Sequence, residues 1–201
     1  YSGSHFENFK GIITATDSPT ILQNTSFKWT FKNSFSVNQN INHWDVSGVD
    51  NFEDCFKNSA FNDVLDGWNV EKSTNMMGMF FNAFNFNQSL NSWNTKNVSN
   101  FTNMFNNSIK FNQNIGNFNF SSCPYNTGEN SFDKFMLNTE LSKENYSNTL
   151  VKWKNNIVNN NYSVPVNITI QTKSYVNSNG LDAQNYFKEN YNWSFNDLGL
   201  Q

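Results

Sequence analysis

The chain has 201 residues, a net charge of −3 and only 14% charged side chains. That length supports one domain with a sizeable core, and the near-neutral balance, with no basic block, gives little reason to expect charge-driven binding to nucleic acid or anionic membranes. Asparagine takes the place of charge, with 42 residues beside 21 phenylalanines, 9 glycines and 3 prolines. Such a composition occurs in disordered, prion-like tracts, which lack large apolar residues in fixed register; the register is therefore the test.

No stretch approaches the ~20 apolar residues of a membrane span, and no signal peptide is visible. Tyr1 opens the chain without a methionine, so the sequence reads as a mature fragment or an excised domain. Two cysteines, Cys55 and Cys123, are too few for a disulfide framework.

In chain order, Ile12–Thr16 reads as a degenerate first strand. A repeat of about 25 residues then takes over. Asn-Gln or Asn-Asp recurs at Asn38, Asn62, Asn87 and Asn112, in steps of 24, 25 and 25. An aromatic follows six residues later at Trp44, Trp68, Trp93 and Phe118, and a phenylalanine twelve residues beyond each tryptophan gives Phe56, Phe80 and Phe105. Four copies in phase set the disordered reading aside.

Each unit carries two apolar periods. The first is Ile41, Trp44, Val46; Leu65, Trp68, Val70; Leu90, Trp93, Thr95; Ile115, Phe118, Phe120, an L-x-x-L-x-L spacing that suits a short strand. The second, Val49, Phe52, Cys55, Phe56 and its equivalents Val98, Phe101, Met104, Phe105, has the spacing of a short helix. A small residue follows at Ser34, Ser59, Ala83 and Ser108, where coils approach. The expected fold is α/β: a leucine-rich-repeat-like solenoid of short parallel strands and short helices, in which neighbouring units supply each other's core. Asn38, Asn62, Asn87 and Asn112 are expected to form a ladder, each amide satisfying backbone groups of the adjacent coil.

The register breaks after Phe120, and Ser121–Ser131 contains an insertion with Pro124 and Gly128. Ser142–Asn156 reads as a helix with Ser142 at its N-cap, Val164–Thr172 as a strand, Leu181–Tyr191 as a second helix and Trp193–Asp197 as a last strand. The chain thus divides into a repeat solenoid over 1–125 and a helix-strand-helix-strand cap over 126–201, packed as one structural domain.

The pattern Val37-Asn38-Gln39-Asn40-Ile41 with Trp44-Asp45-Val46-Ser47-Gly48-Val49, returning as Phe86-Asn87-Gln88-Ser89-Leu90 with Trp93-Asn94-Thr95, resembles the BspA-like repeat family, or mycoplasma-type lipoprotein repeat. Thr14 to Pro19 is similar to its opening unit, and Leu141 to Trp153 with Trp193 to Asp197 to its closing segment. The resemblance implies a leucine-rich-repeat-like solenoid on a secreted or lipid-anchored surface protein, an adhesin or surface antigen. It implies no shared enzymatic activity. Similar repeats occur in bacteria, protists and giant viruses.

The residues themselves carry no HExxH, GxSxG, phosphate loop or paired CxxC. His43 and Asp45 with Asp66 or Asn69 lack a defined third metal ligand, so no metal and no cofactor are expected. Asp63 and Asp66 form a carboxylate pair in one unit only, where Asp63 replaces a repeated glutamine. Cys55 and Cys123 lie about three coils apart, roughly 14 Å at the parallel-strand spacing and beyond the ~7 Å a disulfide allows; both are expected as free, buried thiols. Asn-x-Ser/Thr triplets recur throughout, as such a composition produces them by chance.

The binding face is expected on the exposed side of the stacked sheet. Its residues are His43 and Asp45; Asp66, Asn69 and Glu71; Asn91, Asn94 and Lys96; Asn117 and Asn119, with Asn42, Ser47, Ser92 and Ser121 beside them. Amides donate and accept, which suits sugar hydroxyls or exposed backbone. The expected role is adhesion or recognition of a protein or glycan at the cell surface. The alternatives are a spacer, coat or antigenic shield without a specific ligand, and, last, a glycosidase using Asp63 and Asp66.

Overall fold

The computed structural model describes residues 6–8, 10–11, 13, 16–35, 40–124, 131–160, 162 and 164–197. Its elements are β1 (Thr25–Ser26), β2 (Val49–Asn51), α1 (Lys143–Asn160), β3 (Thr169–Thr172), α2 (Ser178–Tyr191) and β4 (Ser194–Asp197). Among the described residues, everything before α1 is held by tight turns and contacts between successive units rather than by long elements.

The units stack in register. β1 pairs in parallel with β2, and isolated parallel bridges Asn51–Asn75 and Asn75–Asn100 continue the line. Past each bridge, alternate backbone N–H groups point along the stack. Met76, Gly78, Phe80 and Asn82 donate to the carbonyls of Asn100, Thr102, Met104 and Asn106 at 2.8–2.9 Å. The N–H groups between them close tight turns within the unit: Met79 to Met76, Phe81 to Gly78, Ala83 to Phe80.

This differs from the expected short helix over the second apolar period. Two residues per unit sit at positive φ. The first position holds Trp29, Asp54, Gly78, Asn103 and Lys134; the second holds Asn33, Asn58, Asn82, Asn107 and Asn138. A left-handed residue ends a helical run after one turn, because its N–H leaves the i−4 line. The three-and-four apolar spacing therefore describes two consecutive turns that share an inner face. The expected strands over Trp44–Val46, Trp68–Val70 and Trp93–Thr95 are likewise absent; the backbone bridging falls a few residues later, at 49–51, 75 and 100.

Phenylalanine fills the interior in columns. Phe6, Phe31, Phe56, Phe80 and Phe105 stack at 5.3, 5.2, 5.5 and 5.6 Å between ring centroids, within 9° of parallel. A second column, Phe61, Phe86 and Phe111, lies against it, with Phe80 and Phe86 3.9 Å apart. The column step is close to the ~4.8 Å between hydrogen-bonded strands, so one residue per unit stacks on the next. Each fully buried ring stabilises the fold by about 1.5–3 kcal/mol.

The repeat runs beyond the boundary at residue 125. Phe101, Asn103, Phe105 and Asn107 donate to the carbonyls of Ser131, Asp133, Phe135 and Leu137, so one further pair of turns follows the insertion and ends near Thr139. Its left-handed residues, Lys134 and Asn138, stand 31 residues after Asn103 and Asn107. The expected first strand falls partly on residues 12, 14 and 15, outside the described residues.

The closing elements come close to expectation. Ser142 caps α1, its Oγ accepting from Asn145 N at 3.1 Å, and Tyr146, Leu150, Trp153 and Ile157 form the buried face. β3 covers only the last part of the expected strand and pairs in parallel with β4 through α2. α2 starts earlier than expected, capped by Asn177, and ends at the left-handed Asn192. α1 and α2 approach closely at Gly180, where a Cβ would lie 2.7 Å from Ser147 Oγ. One continuous core joins the stacked units to both helices.

Candidate functional site

Helix α1 sits where another unit would stack, and it copies that unit's contacts. Trp68 and Trp93 donate their indole N–H to Ile41 O and Leu65 O of the preceding units, at 2.9 and 3.0 Å. Trp153 of α1 donates to Ile115 O at 3.0 Å. The expected asparagine ladder ends on the same helix. Asn87 N donates to Asn62 Oδ1 at 2.8 Å, Asn112 N to Asn87 Oδ1 at 2.9 Å, and Ser142 N to Asn112 Oδ1 at 2.7 Å. Gln88 and Gln113 donate back to the carbonyls of Asn62 and Asn87. Asn38 lies outside the described residues.

A second ladder was not legible as such. Asn58, Asn82, Asn107 and Asn138 each donate Nδ2 to the Oδ1 of Asn33, Asn58, Asn82 and Asn107, at 3.0, 2.9, 3.0 and 2.6 Å. These are the left-handed positions, where asparagine combines tolerance of positive φ with a side chain that both donates and accepts. Here lies a physical reason for part of the asparagine content.

The ten face residues divide into two groups. Asp45, Asn69, Asn94 and Asn119 form a column of identical local turns, their Oδ1 atoms accepting from Ser47, Glu71, Lys96 and Ser121 N at 3.0, 3.1, 3.3 and 2.9 Å. The Ser47 hydroxyl and N–H hold the Asp45 carboxyl below its usual range. The rest link units or face solvent. Asn42 Nδ2 donates to Asp66 Oδ1 at 3.1 Å, and Asn117 Nδ2 to Asn91 O at 3.1 Å. Lys96 pairs with Glu71, whose carboxyl that ammonium holds low. His43 is exposed. The face is therefore continuous and polar, but it is joined by side chains and is not the surface of a sheet.

Where this face meets α1 there is an open groove of about 360 Å³, lined by Asn91, Asn114 and Asn117 from the stack and Asn148, Val151, Lys152 and Asn155 from the helix. Asn91 and Asn117 were expected on the face; the other five were not. The one available signal is Gly116, at a position that is Asn42, Asp66 and Asn91 in earlier units. A Cβ there would lie 2.5 Å from Lys152 Cβ, so glycine lets α1 close on the last unit.

Among the described residues, no group of three or more His, Cys, Asp and Glu side chains is placed to hold a metal ion. Asp63 accepts from Asn40 N and Val64 N, both at 2.9 Å, and so takes part in linking units. Cys55 and Cys123 are free and buried; burial pushes the Cys55 thiol well up and that of Cys123 to about 12. No helix among the described residues is long and apolar enough to cross a membrane.

The chain belongs to the family described as Mycoplasma protein of unknown function, DUF285, whose model matches residues 25–144. That span begins at β1 and ends just inside α1. No curated protein and no solved structure matches the chain.

Proposed function

We propose that this member of the Mycoplasma family is a non-enzymatic recognition or adhesion module, a leucine-rich-repeat-like solenoid akin to the BspA-like repeats, carried outside the cell or on its surface. It binds a protein or glycan through the polar face that runs from His43 to Asn119. The observation that supports this reading is the column of amide and charged side chains that recurs once per unit along one exposed side. A rigid stack places such groups at about 5 Å intervals, which suits an extended ligand with repeating polar groups.

The test is binding of the 201-residue chain to a panel of glycans and extracellular proteins. Alongside runs the variant Asn69→Asp, Asn94→Asp, Lys96→Ala. Aspartate keeps the Oδ1 that closes each turn and removes the amide donor, so the fold is preserved while the face changes. A ligand lost in the variant supports the face; a ligand retained places binding elsewhere.

A second reading, a spacer or coat without a specific ligand, draws on one observation. Four of the ten face residues direct their side-chain oxygens into their own turns. Under that reading the whole panel stays silent at micromolar concentration.

A further inference from the structure

The groove at the junction of the last unit and α1 differs chemically from the rest of the face. On α1 its residues stand at positions 148, 151, 152 and 155, the i, i+3, i+4, i+7 spacing that puts them on one side of the helix. Two of its amides are held in place beforehand. Asn114 Oδ1 accepts from Gly116 N at 2.8 Å and from Thr149 Oγ1 at 3.2 Å, and Asn117 donates to Asn91 O. No carboxylate lines the groove, and its one cation, Lys152, has no acidic partner among the described residues. The Cβ and Cγ of Lys152 pack on Gly116, so its exposed side chain starts at the rim of the groove. The volume falls in the ~300–1,000 Å³ range of ligand clefts.

We propose that this groove binds a carboxylated sugar within an oligosaccharide, a uronic-acid type residue. The inference rests on the recognition reading and names its ligand class and site. Five amides from Asn91, Asn114, Asn117, Asn148 and Asn155 match vicinal hydroxyls, each of which donates and accepts. Lys152 meets the single carboxylate in a charge-assisted hydrogen bond, and Val151 offers an apolar contact for the C–H face of a ring. One ammonium, on a chain of net charge −3, suits a monoanionic ring better than a phosphate or a polyanion.

The experiment is titration calorimetry with a hyaluronan tetrasaccharide, which carries carboxylates, against a chitin tetrasaccharide, which is neutral. Lys152→Met keeps the stem over Gly116 and removes the charge; Lys188→Met on α2 is the control for net charge. Expected is tighter binding of the hyaluronan fragment, weakened about tenfold by Lys152→Met and about threefold by Asn155→Ala, with Lys188→Met unchanged. Equal affinity for both sugars, or indifference to Lys152→Met, overturns the proposal. If binding survives Lys152→Met but is lost in the Asn69, Asn94, Lys96 variant, the groove falls while the recognition reading stands. No binding of either sugar at millimolar concentration, with an unchanged melting temperature, also overturns it; the protein panel then judges the recognition reading by itself.

Discussion

Asn82 tests the account of the asparagine ladder. It sits at φ 56°, half-buried, donating Nδ2 to Asn58 Oδ1 at 2.9 Å and accepting from Asn107 Nδ2 at 3.0 Å. Asn82→Gly removes both side-chain bonds and keeps the backbone conformation. At about 0.5–1.5 kcal/mol per bond, with the lower half favoured by partial solvation, the loss is about 1–2 kcal/mol. Asn82→Ala removes the same bonds and keeps a Cβ in the left-handed region without the polar side chain that lets asparagine sit there, at about 1–2 kcal/mol. Glycine's greater freedom in the unfolded chain offsets about 0.5–1 kcal/mol of that difference, so alanine exceeds glycine by about 1 kcal/mol. At about 2–4 °C per kcal/mol for a chain of this size, the totals of about 3 kcal/mol for alanine and about 2 kcal/mol for glycine lower Tm by about 6–12 °C and about 4–8 °C. Urea denaturation and calorimetry of the two variants give the measurement. Equal destabilisation would refute the left-handed strain; losses under ~0.5 kcal/mol in both would refute the ladder.

Three further outcomes follow from buried groups. Burial and then the Asp197 charge raise the Tyr146 phenol well above its ordinary value, and its Oη donates to Asp197 Oδ1 at 3.0 Å. Because the folded-state value is raised, its contribution is full below pH ~10 and falls as pH rises further, by up to about 1.4 kcal/mol per unit. Tyr146→Phe flattens that part of the stability–pH curve, and an unchanged slope would contradict the assignment. Cys55 and Cys123, buried with raised thiols, stay unreactive toward a disulfide reagent at pH 8 and both react on unfolding; prompt native-state reaction of either would show that it is exposed. Trp153→Phe removes the indole bond to Ile115 O, and that carbonyl keeps its second donor, Phe118 N. The expected loss is about 1–2 kcal/mol by denaturation, smaller than the ~3–5 kcal/mol for Phe80→Ala in the column.

The sequence by itself determined the period, the inward residues and the ladder of Asn62, Asn87 and Asn112. Stacking gives every unit the same environment, so burial repeats with the chain and is visible as register. It also located α1, whose Ser142 cap and apolar face are local, and most of α2, whose start at the Asn177 cap it missed. What it misjudged was the backbone between inward residues. Apolar spacings of three and four are shared by a helix and by two consecutive turns, and left-handed Asn58 and Asn82 decide between them only through bonds to the neighbouring unit. Tertiary structure alone also decided that turns resume at Phe132 beyond the insertion, and that α1 takes the place of a further unit. The groove arises from that second placement. Asn114 and Lys152 are 38 positions apart, outside any repeat relation, and only the approach of α1 to Gly116 brings them together.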